Sequence, residues 1–426
     1  LGKPAHPDRH FPTKQEGYDK FNSYSHYRAN FDVVRAFVDN SADTIDFLKD
    51  LGVEYKTVTI AAYDDPNEVW TFHLPDGLGA RVQELLLSAV EHAGVDIFTE
   101  TPATELIIED GKVVGVVAES EGEPLRVGGK AVVLATGGMG SNPELIAKYS
   151  WFAPSAYNMN TLTPLQNMGD GLMMALSAGA DDTNIVTCPI LAAGARDKAM
   201  DSHIGAAGVQ PGAIWINKTG RRFANEGTAE NIGDIGPLYG KQPDGIVWSV
   251  LDQANIDRLA ENGSEISIGE FVVFGRPLDR LRMELDQDVA DGVAFAANTP
   301  EELAEKIGVA PENFAATVAA YNEACAAGDD KEFFKQEKYL RPLSIPPFYA
   351  VALATGTMGS AGGIRINGNM QVVDKDYEPI PGLYAVGLDA TGLYGDSYNM
   401  EVPGAANGFA HTSGRIAGRH FAAQQA

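Results

Sequence analysis

Between Gly392 and Glu401 the chain reads Gly-Leu-Tyr-Gly-Asp-Ser-Tyr-Asn-Met-Glu, which puts Tyr394, Asp396, Tyr398 and Glu401 within ten residues. Two phenols and two carboxylates so close together are a set that can move protons. A phenol suits this work because it can give or take a proton while staying neutral in an apolar pocket. The competing reading is that these side chains only tie a loop in place. His203, among Gly205, Gly208 and Gly212, is a candidate for the same cleft, set against a histidine bonded to backbone or solvent.

Glycine-punctuated exits from short apolar runs supply the second chemical signal. Ala131-Val-Val-Leu-Ala-Thr-Gly-Gly-Met-Gly-Ser141 and Ala350-Val-Ala-Leu-Ala-Thr-Gly-Thr-Met-Gly-Ser360 each read as a buried strand that stops at a turn. Gly382-Leu-Tyr-Ala-Val-Gly387 is a third, running on into Gly392, Gly395, Gly404 and Gly408. Glycine tolerates positive φ and lets a ligand approach the backbone. Three such exits point to an α/β sheet whose strand ends cradle something elongated and polar, such as a dinucleotide.

The 426 residues are enough for two domains, and 44% apolar with 21% charged residues is ordinary for a globular protein. A net charge of -26 excludes nucleic acid and anionic membrane surfaces as partners. Only Cys188 and Cys325 occur, so no disulfide framework and no cysteine metal site is legible. No apolar run is long enough for a transmembrane segment. Leu1 in place of an initiator Met reads as the loss of preceding sequence, so the compartment is not legible.

The elements that must position these groups follow from period and punctuation. The stretch through Ser25 reads as loop, and Asn30–Leu51 and Ala80–His92 as amphipathic helices. Val95–Phe98, Ala103–Ile108 and Val113–Ala118 read as a strand meander, with Asp110-Gly111 as its hairpin turn. Asn142-Pro143-Glu144 starts a helix; another runs from Asp170 to Ala178, where Asp170 either caps or faces a ligand hydroxyl. Ile214–Phe223 is a strand, a tight turn and a return strand. Pro300–Lys306 and Pro311–Ala326 are helices with Pro in the first turn, and Gly404–Ala423 is a small-residue helix. Residues 186–353 thus form an α+β insertion between two α/β pieces.

Together these stretches resemble the flavoprotein family of soluble fumarate reductases, urocanate reductase and 3-ketosteroid dehydrogenases. The matching segments are Val133–Gly138, Gly169-Asp-Gly171, Asn217–Glu226, Gly362-Gly-Ile364, Ile380–Gly387 and Ser413–Gly418, in the family's order. The resemblance implies an α/β fold: a doubly wound FAD-binding domain, incomplete at its N-terminus, with an inserted α+β capping domain. Its parts would be residues 1–185 and 354–426, with the cap at 186–353. FAD, held non-covalently, is the implied cofactor, beside a small-molecule substrate and an electron donor that the sequence does not identify. The implied cofactor contacts are Thr104, Ala135, Thr136, Gly137, Gly138, Asp170, Gly387, Asp389, Ala405, Ala406 and Asn407.

Departures from the family pattern carry equal weight. No GxGxxG turn for a pyrophosphate follows any strand in the first 60 residues, so the first βαβ unit is absent. A fragment lacking it would hold FAD weakly or not at all, because the pyrophosphate would lose its helix N-terminus. The position of the fumarate reductases' proton-donating Arg is Glu230, and that of their substrate-binding His is Gly359. Their Thr-Glu pair and nearby Arg fall at Gly205, Ala206 and Val209, and the family's Glu after the Gly382–Gly387 strand falls at Leu388, one place before Asp389. A dicarboxylate needs bidentate Arg contacts, so fumarate is rejected. The expected activity is hydride transfer between flavin N5 and an activated C=C bond of an enone or aryl-acrylate type. Tyr398 is the first candidate for proton donor, with Tyr394, Glu401 and His203 beside it. The alternative is a relative that binds flavin or another ligand and has lost its chemistry.

Overall fold

The computed structural model describes residues 12–59, 71–149, 166–183, 185, 187–196, 198, 201–267, 273–395 and 398–425. Its first element is a helix where a loop was expected. Thr13 and Glu16 form a reciprocal capping box, the Glu16 carboxylate taking the Thr13 N–H at 2.7 Å, and this starts α1 (Lys14–Tyr24). Asn30 caps α2 (Phe31–Asp50) by accepting from Asp32 N–H; of the apolar stripe that its spacing predicts, Val34, Phe37, Val38 and Leu48 are buried, Ile45 is half-buried and Phe31 is exposed. β1 (Tyr55–Thr59) pairs antiparallel with β2 (Thr71–Pro75), and α3 (Leu78–His92) follows.

The meander is β3 (Ala103–Glu109), β4 (Lys112–Ser120) and β5 (Glu123–Gly128). Asp110 and Gly111 both have positive φ at its first turn, as a two-residue hairpin requires. Val95–Phe98 is not a strand: it has no ladder partner, and Val95, Ile97 and Phe98 are exposed. β5 escapes a periodicity reading because only Leu125 of its side chains is even half-buried. β6 (Val132–Leu134) leads into the first glycine turn, and α4 (Pro143–Tyr149) and α5 (Asp170–Ser177) come after it.

The insertion holds β7 (Thr187–Ala195), α6 (His203–Gly208), β8 (Ile214–Asn217), α7 (Ile232–Gly240), β9 (Val247–Asp252), α8 (Gln253–Asn262), α9 (Leu281–Ala290), β10 (Ala294–Ala297), α10 (Pro300–Ile307) and α11 (Pro311–Ala327). They are organised by β11 (Phe348–Gly362), which pairs antiparallel with β10, β9 and β7, while β8 extends the sheet beyond β9. The period-2 alternation of a strand places Ile214 and Ile216 in a core with Phe314 and Tyr321, and Trp215 in another with Tyr239 and Leu353. The second glycine run is therefore no turn. β11 continues through it with one register shift between Thr357 and Ser360, and crosses the boundary expected at 353/354.

After β11 come β12 (Ile364–Arg365), β13 (Gln371–Val373), β14 (Pro379–Ala385), β15 (Ala390–Thr391) and α12 (Ala405–Gln425). β14 lies between β13 and β6, parallel to β6. β6 ends this sheet, its outer edge unpaired among the described residues, with Val133 47% exposed. The third core joins Val34 and Phe37 of α2, Leu134, Leu172, Leu383 and Phe409 of α12. No helix among the described residues is long and apolar enough to cross a membrane.

Candidate functional site

The turn after β6 is held by one carboxylate. Gly137 and Gly138 have φ of 89° and 82°, which only glycine adopts without strain. Buried Asp389 accepts from the Thr136 N–H, from the Thr136 hydroxyl at 2.9 Å and from the Gly138 N–H at 2.9 Å. Burial raises its pKa, and these hydrogen bonds pull against that rise. Thr136 Oγ1 in turn accepts from the Gly171 N–H at 3.0 Å, and Ser360 Oγ accepts from the Met139 N–H at 2.7 Å. Asp389, expected among the cofactor contacts, braces this turn: both its oxygens accept from it. Ser360, at the far end of β11, is a further brace that sequence reasoning missed, because the strand was read as stopping short of it.

The exit of β14 lies against the same turn. Val386 N–H donates to the Leu134 carbonyl at 3.0 Å, and Gly387, at φ 60°, donates to Ser413 Oγ on α12 at 2.9 Å. Ala405 is buried, Ala406 half-buried and Asn407 exposed in the first turn of α12, where amides lack partners within a helix. The Thr136–Gly138 turn, the Gly387–Asp389 segment and α12 are thus brought together. Ala135 is exposed beside them. Thr104 stands exposed on β3, bonded to the Val117 carbonyl at 3.3 Å. Asp170 is exposed and does not cap α5: Gly169, at φ 90°, holds that position with no side-chain bond.

In the tyrosine loop, Tyr394 is buried and its ring centroid lies 4.9 Å from that of half-buried Tyr398 and 6.0 Å from that of Phe21. Gly392 and Gly395 let the loop lie on the start of α2; a Cβ on Gly395 would sit 3.0 Å from Arg28 Cβ. Glu401 is exposed, and its carboxylate pairs with Lys20 at 2.5 Å. Asp396 lies outside the described residues. His203 opens α6, and its Nδ1 accepts from the Arg280 N–H at 3.0 Å, which leaves Nε2 as the proton-bearing nitrogen of the neutral ring. It lines a cleft of about 360 Å³ with Arg276, Leu278 and Arg280. Its described contacts all lie in the insertion, and none of them joins it to the tyrosine pair.

The positions where a dicarboxylate clamp would stand hold no available cation. Gly205, Ala206 and Val209 are buried in the small-residue surroundings of α6. Glu230 accepts from Lys338 and from the Tyr339 hydroxyl, each at 2.7 Å. Gly359 is buried within β11. Glu226 is buried, clasped by Arg222 at 2.7 Å and Lys335 at 3.3 Å.

Residues 13–402 match the family described as FAD binding domain. The chain is 34% identical over 415 residues to the vinyl phenol reductase of Lactiplantibacillus plantarum, an alignment that covers 94% of this chain and 82% of that one. It is 29% identical to the NADH:acrylate oxidoreductase of Vibrio harveyi over 91% of its own length, but spans only 36% of that longer protein. Among solved structures, the 3-ketosteroid delta1-dehydrogenase of Sterolibacterium denitrificans superposes with a TM-score of 0.76 at 19% identity, covering 99% of this chain and 91% of that one. At that identity the likeness is one of fold.

Proposed function

Because the chain belongs to the FAD binding domain family, we propose that it is a flavin-dependent oxidoreductase that saturates an activated carbon–carbon double bond. The substrate class is a vinyl phenol, aryl acrylate or enone rather than a dicarboxylate. The observation that carries this reading is the lack of a cationic side chain at the clamp positions: Gly205, Ala206 and Val209 are buried small or apolar residues, and Glu230 is a carboxylate that is itself paired with Lys338 and Tyr339. The relatives named for vinyl phenol and acrylate act on the same bond type.

We read the Thr136–Gly138 turn as the cofactor's cradle. The side chains of Asn167, Ser360 and Thr136 already fill the space that a Cβ on Gly137, Gly138 or Gly171 would take, at 2.6, 2.6 and 2.7 Å respectively, so the turn is tightly packed and only glycine fits there. Thr136–Gly138, Gly387 and the first turn of α12 would hold the cofactor, the helix N-terminus favouring negative charge on its reduced ring. When bound, FAD supplies the hydride to one carbon of the double bond. The chain supplies the proton: Tyr398 gives its phenolic proton to the other carbon, so that C=C becomes CH–CH, and solvent then reprotonates the phenolate. Tyr394, its ring tilted 49° against that of Tyr398, keeps that proton beside an apolar face and sets the ring's angle.

The test is anaerobic reoxidation of the reduced, flavin-loaded protein by fumarate, acrylate, a vinyl phenol and a cyclic enone. Rapid reoxidation by the last two and none by fumarate is expected. Reoxidation by fumarate alone sinks the proposal, and reduced flavin untouched by every alkene would leave a ligand-binding relative without turnover. Tyr398→Phe should retain flavin and lose turnover by about 10²-fold or more, the scale of general acid catalysis.

A further inference from the structure

The loop that carries Tyr398 is gripped from two sides by elements the chemistry above does not use. From the insertion, α7 lays Gly233 against it: a Cβ at Gly233 would stand 2.8 Å from Met400 Cγ and 3.5 Å from the Tyr398 carbonyl oxygen. From the other side, α1 pairs Lys20 with Glu401 at 2.5 Å and offers the Lys20 carbonyl to Asn399 Nδ2 at 3.4 Å. One bond joins the two grips. Asn231, the N-cap of α7, donates from Nδ2 to the Tyr24 hydroxyl at 3.1 Å, while its Oδ1 accepts from the Gly233 N–H at 3.2 Å.

Glycine at 233 has no backbone reason. It does not lie in the left-handed region, and inside a helix it costs about 0.5–1 kcal/mol relative to alanine. The near approach of the loop is what excludes a side chain there. The next residue, Asp234, is exposed, yet partial desolvation of its carboxyl and the charge of Glu401 raise its pKa.

We infer that Gly233, Asn231 and Tyr24 are positioning residues, which align Tyr398 by seating α7 of the insertion on the tyrosine loop. The inference rests on the reading of Tyr398 as proton donor. Misplacement by about 1 Å is enough to cost on the order of 10²-fold in rate, and a methyl group at 233 would press on Met400 Cγ, two residues along the chain from Tyr398.

The experiment uses the full-length, flavin-loaded protein with a vinyl phenol as substrate. Gly233→Ala should lower kcat by about tenfold or more, change KM less than about twofold, and leave the flavin spectrum and Tm unchanged or the Tm higher. Adding Met400→Ala to it should restore most of the loss, because the clashing Cγ is removed. Tyr24→Phe should lower kcat in the same direction and less. A 3-fluorotyrosine at 398 should shift its fluorine resonance in Gly233→Ala and shift back in the double variant. Wild-type kcat in Gly233→Ala, or a loss that Met400→Ala does not relieve, overturns the inference. If Tyr398→Phe itself turns over like wild type, the proton-donor reading fails and the inference falls with it. If Tyr398→Phe is inactive while Gly233→Ala is normal, only the positioning inference fails.

Discussion

Four ionisable side chains are enclosed together in the insertion. Arg222 contacts Glu226 at 2.7 Å and Asp330 at 2.9 Å, lies over the rings of Tyr321 and Phe333, and shares Glu226 with buried Lys335. Burial alone would raise the pKa of Glu226, but the charges of Lys335 and Arg222 hold it below the usual carboxylate value. Asp330 is likewise lowered against its burial by Arg222 and the amides of Phe333 and Glu332. Carboxyls with depressed folded pKa values contribute stability that is present above their unfolded pKa of about 4 and is lost as pH falls through the folded values. Acid titration of thermal unfolding should show that loss below about pH 4, and Glu226→Gln should flatten it while costing about 3–5 kcal/mol at neutral pH. Arg222 and Glu226 were legible, because Asn217–Glu226 is a contiguous motif. Asp330 and Lys335 were not, since only the fold brings residues a hundred positions away onto that arginine. Asp389 was expected among the cofactor contacts, and its role as brace of the Thr136–Gly138 turn depends on a direction that sequence does not carry.

At the scale of elements, the decisive piece is the turn between β6 and Met139. A Cβ at Gly138 would meet Ser360 Oγ at 2.6 Å, the Ser360 carbonyl at 2.8 Å and the Leu388 carbonyl at 3.0 Å, two of which are backbone and do not yield easily. The left-handed φ adds about 1–2 kcal/mol for any residue with a side chain. Gly138→Ala should therefore lower Tm and flavin occupancy together, read by calorimetry and by the absorbance ratio of flavin to protein; wild-type values of both would show that the turn does not set the site. Helices with marked stripes and caps, α2 above all, were legible from apolar spacing and Asn30. α1 was not drawn out, although Thr13 and Glu16 spell a capping box, because its mostly polar residues hide the period. β11 was read as a strand plus a turn, since its glycines look like punctuation. Gly356 and Gly362 instead keep ladder partners on β7, and Gly359 falls where the long strand shifts register between Thr357 and Ser360.

Across the whole molecule, the insertion is an antiparallel sheet with a core on each face, and β11 joins it to the part that holds the Thr136–Gly138 turn. The order of segments was visible in sequence as an interruption between two similar α/β pieces, and the resemblance to flavoproteins rested on motifs from both. What sequence could not show is how α1 and α7 close on the tyrosine loop, because those contacts join side chains about two hundred positions apart, such as Asn231 and Tyr24.

The free margin of β6 has a consequence of its own. Among the described residues no strand lies along that margin; such a row of amides and carbonyls is a template on which another chain can add itself as one more strand, and Val133 gives it a greasy flank. Copies of this polypeptide should accordingly associate edge to edge as concentration rises, despite the mutual repulsion of a charge of -26. Light scattering of the chain with Val133→Lys should stay at the monomer mass where the parent climbs. Two identical curves would mean that the margin is already guarded.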